Sequence, residues 1–413
     1  MKPTTNDLRL AKDLTVPRAI AARTVFVAGT KGSGKTHNAG VMVEEMLAAG
    51  VHACVLDPLG VWWGLRHDAG GGAGGLPVVI LGGEHGDRPL LPTAGDIVAD
   101  YLVRSGQSVI LDMSGFDSDA EQDRFVTAFL KRLFRLKAAD KAALHLVMDE
   151  ADLFAPNQPQ PGQQVMLGAT KTIVTKARSR GLSMTMITQR PQSIATVCRD
   201  EADVFLCHRI QGPRAAAAVR DWVEQHASRD EVRAFMDSLA TLDTGECWVW
   251  SPHFLKLFRR VRFRPKATFD SSRTPDPGEA VRQPKAAAAV DLDKLTTEME
   301  ATAEQAKAND PAALKRRIAE LEKVAAAKPA APPPAKVERV EVPVLKPGQL
   351  EKLDAAVARL QKLADAAGEQ YARAVELRDG LAAAIRPATA AATVTPRPAP
   401  APARPAPAPA ART

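Results

Sequence analysis

Cysteine is scarce in this chain. The four present among 413 residues, Cys54, Cys198, Cys207 and Cys247, stand far apart without a CxxC pair. That spacing excludes a zinc ribbon or a disulfide framework and fits a reducing compartment. No apolar run approaches the roughly 18 residues of a membrane-spanning helix, and the polar start MKPTTNDLRLAKD has no secretory core. The expectation is a cytoplasmic protein with no membrane partner. Aromatics are also few, at 5 %. The 45 % hydrophobic fraction owes much to alanine after residue 285, so the core must come from the first two-thirds. Basic residues outnumber acidic ones, 55 to 48, for a formal charge of +7. Such a balance mildly favours a polyanionic partner such as nucleic acid.

Short, continuously apolar runs punctuate that first two-thirds: TVFVA (24–28), HACVLD (52–57), VVIL (78–81), SVILD (108–112), LHLVMD (144–149), MTMIT (184–188) and VFLCHR (204–209). Runs of this kind are strands of a parallel sheet covered on both faces. Amphipathic segments separate them, the clearest being SDAEQDRFVTAFLKRLFRL, with a capping box at Ser118 and Glu121 and an apolar face of Phe125, Phe129, Leu130, Leu133 and Phe134. Alternating strands and helices predict a doubly wound, mostly parallel α/β sheet. GECWVW (245–250) and KLFRRVRFR (256–264) then predict a terminal hairpin, with Arg260, Arg262 and Arg264 on one face. That face is either a solvated edge or a strip for phosphates or a neighbouring subunit.

Composition divides the chain into an N-terminal extension (1–20), the core domain (21–269), a linker (270–310), a helical segment (311–385) with a Pro-rich break at 328–348, and a disordered Pro/Ala-rich tail (386–413). Asp310 and Pro311 are a helix start. Leu350, Leu353, Val357, Leu360, Ala364, Ala367 and Tyr371 follow heptad spacing, which gives a weak coiled coil or a helix that forms on docking.

The chemistry begins at GTKGSGKT. Gly29, Thr30, Lys31, Gly32, Ser33, Gly34, Lys35 and Thr36 match GxxxxGK[ST] between a strand and a helix, where this phosphate-binding loop must sit. The glycines let backbone amides wrap phosphates at a helix N-terminus. Lys35 is expected on the β- and γ-phosphates of ATP and the Thr36 hydroxyl on Mg²⁺. LHLVMDEAD delivers Asp149 to a strand end, to hold Mg²⁺ through water, and Glu150 beside it, to orient and deprotonate the attacking water. Asp57 and Asp112, at two other strand ends, suit turns, or else the magnesium shell. GGEHGD (82–87) offers His85 no companion ligand and is a loop. Trp62 and Trp63 suit packing, or stacking on a base.

TMITQRPQS, residues 185–193, ends a strand on Gln189, with Arg190 beside it and Pro191 blocking continuation. By analogy with P-loop proteins that use a catalytic glutamate, this strand lies between those of the P-loop and of Asp149, and Gln189 faces the γ-phosphate or the lytic water. VFVAGTKGSGKT, LHLVMDEADLFAP and ARSRGLSMTMITQRPQSI together resemble the HerA-type branch of the HerA–FtsK ATPases over residues 20–265, with TQRP after ARxxG the most specific element. The resemblance implies a RecA-like P-loop NTPase: a ring-forming, usually hexameric, DNA-translocating ATPase with an arginine supplied in trans. Arg178 is the matching residue and Arg180 the second choice, although Arg178 also suits the cation at a helix C-terminus before a Gly181 cap. The implied partners are further copies of the chain, DNA, and a partner nuclease or effector. Lys171, Lys176 and the Arg260–Arg264 face are candidate DNA contacts. Only 28 residues precede Gly29, so the N-terminal β-barrel of archetypal HerA is not expected. A regulatory or scaffolding ATPase ring that controls a bound effector is the competing reading.

Overall fold

The computed structural model describes residues 7–225, 227–272, 292–308, 319–320 and 347–390. A two-stranded ribbon, β1 (Leu8–Arg9) and β2 (Thr15–Val16), leads into β3 (Val25–Ala28) and α1 (Lys35–Ala48). The chain continues through β4 (His52–Asp57), β5 (Val78–Leu81), α2 (Gly95–Ser105), β6 (Ser108–Asp112), α3 (Asp119–Leu136), β7 (Leu144–Met148), α4 (Gln164–Lys176) and β8 (Leu182–Thr188). Then come α5 (Thr196–Asp200), β9 (Val204–Cys207), α6 (Pro213–Val223), α7 (Arg229–Ser238), β10 (Glu246–Ser251) and β11 (Leu257–Arg262), followed by α8 (Asp293–Ala308) and α9 (Pro347–Ala390).

Every predicted strand run forms a strand. Nine of them make one sheet in the order β11-β10-β9-β3-β8-β7-β4-β6-β5. From β9 to β5 all neighbours are parallel, and β10 and β11 close that edge as an antiparallel hairpin. This is the RecA-like, doubly wound arrangement expected. β8 lies between β3 and β7, with Ala28 opposite Thr188 and Met148 opposite Met186.

The strands have no polar face because both faces are covered. Phe26, Leu56, Leu111 and Met148 pack with Val98, Phe125, Phe129, Ile173 and Val219 from α2, α3, α4 and α6. The alternate positions, Val27, Val55, Ile110, Val147 and Ile187, pack with Val41, Met42 and Met46 of α1 and with Leu8, Leu10 and Val16 of the ribbon. At α3, Ser118 accepts from the Glu121 amide as predicted, but the Glu121 carboxylate accepts from Asp117 N at 2.9 Å, one residue early. The reciprocal box forms instead at α7, between Ser228 and Glu231.

The segment read as linker holds α8. Leu292, Leu295 and Met299 are fully buried, and Arg88–Asp293 (2.7 Å) and Arg104–Glu298 (3.3 Å) pin the helix beside α2. An apolar triplet at helical spacing was hidden among alanines and charges. The arginine face of the hairpin is also not a free basic strip. Arg260 pairs with Glu246 (2.9 Å), Arg262 with Asp243 (2.5 Å), and Arg264 with Glu44 and Glu45 (both 2.7 Å). Of the second compact unit, the structure describes residues 347–390. Within it α9 carries Val357, Leu360 and Tyr371 exposed. The Asp310–Pro311 helix start, most of the Pro-rich break and the tail from 391 lie outside the described residues.

Candidate nucleotide site

The loop from Gly29 to Gly34 joins β3 to α1 at the C-terminal edge of the sheet. Gly32 and Gly34 take φ of +72° and +94°, where L side chains are strained. A Cβ on Gly34 would also stand 2.6 Å from Gly245 N, so this position admits only glycine on two grounds. α1 starts with no side-chain cap and no acidic residue in its first turn, leaving its amides for an anion. Lys35 is buried, and its ammonium donates to Thr30 O at 2.8 Å. Burial lowers its pKa, against the pull of Glu150 and Asp149.

Two later segments brace the loop. Thr30 N donates to Arg209 O at 2.8 Å, and the His208 Nδ1 meets Ser33 O at 3.0 Å. From the connection before β10, Gly245 N donates to Ser33 O (3.0 Å), Thr244 Oγ1 donates to Gly32 O (3.2 Å) and Asn38 Nδ2 donates to Gly245 O (3.2 Å). His208 is wholly buried, and burial drives its pKa down to about 3, so the ring is neutral and donates through Nδ1. No motif in the sequence marked His208 or Gly245. Only their long-range pairing does.

Asp149 follows β7 and is buried, which pushes its pKa up. Its Oδ2 accepts from Trp62 Nε1 at 2.9 Å and from Thr36 Oγ1 at 3.4 Å, and its Oδ1 from Glu150 N at 3.0 Å. Trp62 is thus more than packing: it fixes the Asp149 carboxylate. Trp63 stacks on Phe269 (5.3 Å between ring centres) and His85 (4.2 Å). Asp57 accepts from Leu59 N and Trp62 N, and Asp112 from Ser114, so both make turns. Burial, with Asp149 and Asp112 close by, drives the Asp57 carboxyl up to about 8, so it is largely protonated at neutral pH.

Glu150 has φ of +46°, an unusual conformation for a residue other than glycine and one that clusters at functional positions. The Gln189 amide donates to its Oε1. The two residues named from separate motifs therefore meet, because β7 and β8 are neighbours and end together. Burial raises the Glu150 pKa, the Gln189 hydrogen bond opposes this, and Asp149 and Asp152 add to it. Arg190 turns away to Asp152 at 2.8 Å, and Asp152 also accepts from Thr188 Oγ1 at 2.8 Å. This pair locks the turn that presents Gln189.

Arg178 does not join the group. It precedes β8, whereas Gln189 follows it, and the 7 residues of β8 alone span roughly 23 Å at strand rise. Its side chain is 62 % exposed, with Asp203 at 3.8 Å, and Gly181 (φ +74°) ends the turn behind it. Arg180 is engaged in its own chain, donating to Phe134 O at 2.6 Å and lying 3.7 Å over the Phe134 ring.

Lys31, Lys35, Thr36, Asp149, Glu150 and Gln189 line one cavity of about 820 Å³. The same cavity is lined by residues the sequence had left to the hairpin and linker, Phe263, Pro265, Asp270 and Ser272, and by His37, which meets Asp270 at 3.3 Å. The Thr36 hydroxyl and Asp149 carboxylate are hard oxygen donors held together, which fits Mg²⁺. Among the described residues no cluster of three or more His, Cys, Asp or Glu could hold a metal.

Among solved structures the chain is similar to the genome-packaging NTPase B204 of Sulfolobus turreted icosahedral virus 2, bound to AMPPCP, at 14 % identity over 60 % of this chain and 99 % of that one, with a TM-score of 0.37. It is similar to VirB4 of Thermoanaerobacter pseudethanolicus at 12 % identity, covering 63 % and 96 %, TM-score 0.44. It is similar to the bacterial conjugative coupling protein TrwBdeltaN70 at 11 % identity, covering 65 % and 92 %, TM-score 0.46. No protein-family model and no curated protein matches the chain.

Proposed function

We propose that this chain is an ATPase of the HerA–FtsK class that works as a homo-oligomeric ring, hexameric by that resemblance, and moves DNA. The observation that carries the reading is the meeting of Gln189 and Glu150 at the ends of adjacent strands, beside a braced phosphate loop. Lys35 leaves Thr30 O for the β- and γ-phosphates, and loop amides take the remaining phosphate oxygens. Mg²⁺, held by Thr36 and through water by Asp149, would neutralise charge on the phosphates. Glu150, its basicity raised by burial, orients the attacking water and takes its proton. Gln189, hydrogen-bonded to Glu150, is placed to exchange that partner for the γ-phosphate and so to report hydrolysis along β8. Arg178, exposed at the far end of β8, serves a neighbouring subunit's site.

The test is ATP turnover with and without duplex and single-stranded DNA across a salt series. Stimulation that weakens steeply with salt is expected of the motor. Turnover indifferent to DNA overturns translocation and leaves the regulatory ring with its bound effector.

A further inference from the structure

Resting on the nucleotide reading above, we propose that the segment after the hairpin, residues 263–272, is the nucleoside subsite, and that Asp270 accepts a hydrogen bond from a ribose hydroxyl. Asp149, Glu150 and Gln189, where the γ-phosphate and water belong, line the same cavity as Asp270 and Ser272. Asp270 meets His37, the residue after Thr36 on α1, and not the residues that end β7 and β8, which places it on the side of the phosphate loop left for the sugar.

The segment is built to hold a fixed shape. Glu44, buried on α1, accepts from Thr268 N (2.8 Å), Thr268 Oγ1 (2.6 Å), Ala267 N (3.1 Å) and Arg264 Nη1 (2.7 Å). On the other side Ser271 Oγ donates to Val61 O at 2.7 Å and accepts from Gly64 N at 3.0 Å. Gly64 must lack a side chain, because a Cβ there would run into the Phe269 carbonyl. Asp270 sits between these anchors.

Its own hydrogen bonds leave it incomplete. Oδ1 accepts from Ser272 N (3.3 Å) and Ser272 Oγ (2.7 Å), and Oδ2 meets His37 Nδ1 at 3.3 Å. A carboxylate has about four acceptor positions, so one remains, on Oδ2 of a residue that lines the cavity. The carboxyl is ionised: burial would raise its pKa, but the His37 and Ser272 hydrogen bonds and Lys266 outweigh it and hold it well below the usual range. An anion beside a triphosphate site is unfavourable unless it meets a donor. The nucleotide offers such donors at this end, on the ribose. Phe263 and Pro265, lining the same cavity, offer an apolar surface to the neighbouring base.

The experiment compares equilibrium binding of ATP and 2′,3′-dideoxyATP to the full chain. Wild type is expected to prefer ATP about tenfold or more, the worth of a charge-assisted hydrogen bond. Asp270→Ala should bring the ratio to about one, since its methyl group carries no acceptor. Equal wild-type affinities, or an Asp270→Ala protein that keeps the preference, overturn the proposal. If Lys35→Ala still abolishes ATP binding in that case, the nucleotide reading stands and only the subsite falls. A wild-type chain that binds neither nucleotide overturns both.

Discussion

At the scale of single residues, the proposed site separates binding from hydrolysis. In that reading Lys35 and the loop glycines hold phosphate, whereas Glu150 acts only on water. Glu150→Gln is therefore expected to keep ATP affinity within a few-fold and to slow turnover by about 10²-fold or more. Filter binding and phosphate release measure the two. Equal loss of both would mean that Glu150 shapes the pocket and does no chemistry. His145 supports a prediction on acidity. It is wholly buried between Ala21 O (2.9 Å), Ser183 Oγ (3.0 Å) and Thr185 Oγ1 (2.8 Å), and burial lowers its pKa to about 4. The unfolded chain, with histidine near 6.5, binds this proton more readily. Stability is thus complete above about pH 6.5 and falls by about 3 kcal/mol as the pH drops towards 4. Urea melts across this range should flatten in His145→Gln, and an unchanged slope would assign the acid sensitivity elsewhere.

Among elements, what was legible in the sequence depended on how local the signal was. Seven apolar runs became seven parallel strands because full burial leaves no polar face to confuse the pattern. The phosphate loop and the Asp149–Glu150 pair were readable for the same reason: each is contiguous. Gln189 needed the strand order as well. His208, Gly245, Trp62 and Asp270 were not readable as site residues, since each acts on a partner between 87 and 233 positions away, or nearly so. The ion pairs of Arg260, Arg262 and Arg264 were not readable because their carboxylate partners come from other elements. α8 was hidden by its composition, and its packing is testable. Leu295→Ala should cost about 2–5 kcal/mol of stability if the helix is part of the folded domain. A free linker would show no change in denaturant midpoint.

For the whole molecule, Arg178 sets the strongest test. If, as proposed, it serves another subunit's site, the active unit is a pair of subunits. Arg178→Ala and Glu150→Gln should each be nearly inactive alone. Mixed in equal amounts, they should regain activity at up to about a quarter of sites, where an intact Glu150 faces an intact Arg178. No recovery after subunit exchange would remove the arginine from catalysis. The second compact unit leads to another expectation: a chain ending at residue 327 should retain ATP turnover, measured beside the full chain. The bracing of the phosphate loop by Gly245 and Thr244 also bears on how the protein is made. The loop is synthesised early, but the residues that hold it follow about two hundred positions later. A nascent chain carrying both nucleotide motifs therefore lacks a cradle for them until the hairpin has emerged. Such distant pairing makes for slow folding, and on the proposed reading ATP would stabilise the domain only once nearly all of it is present.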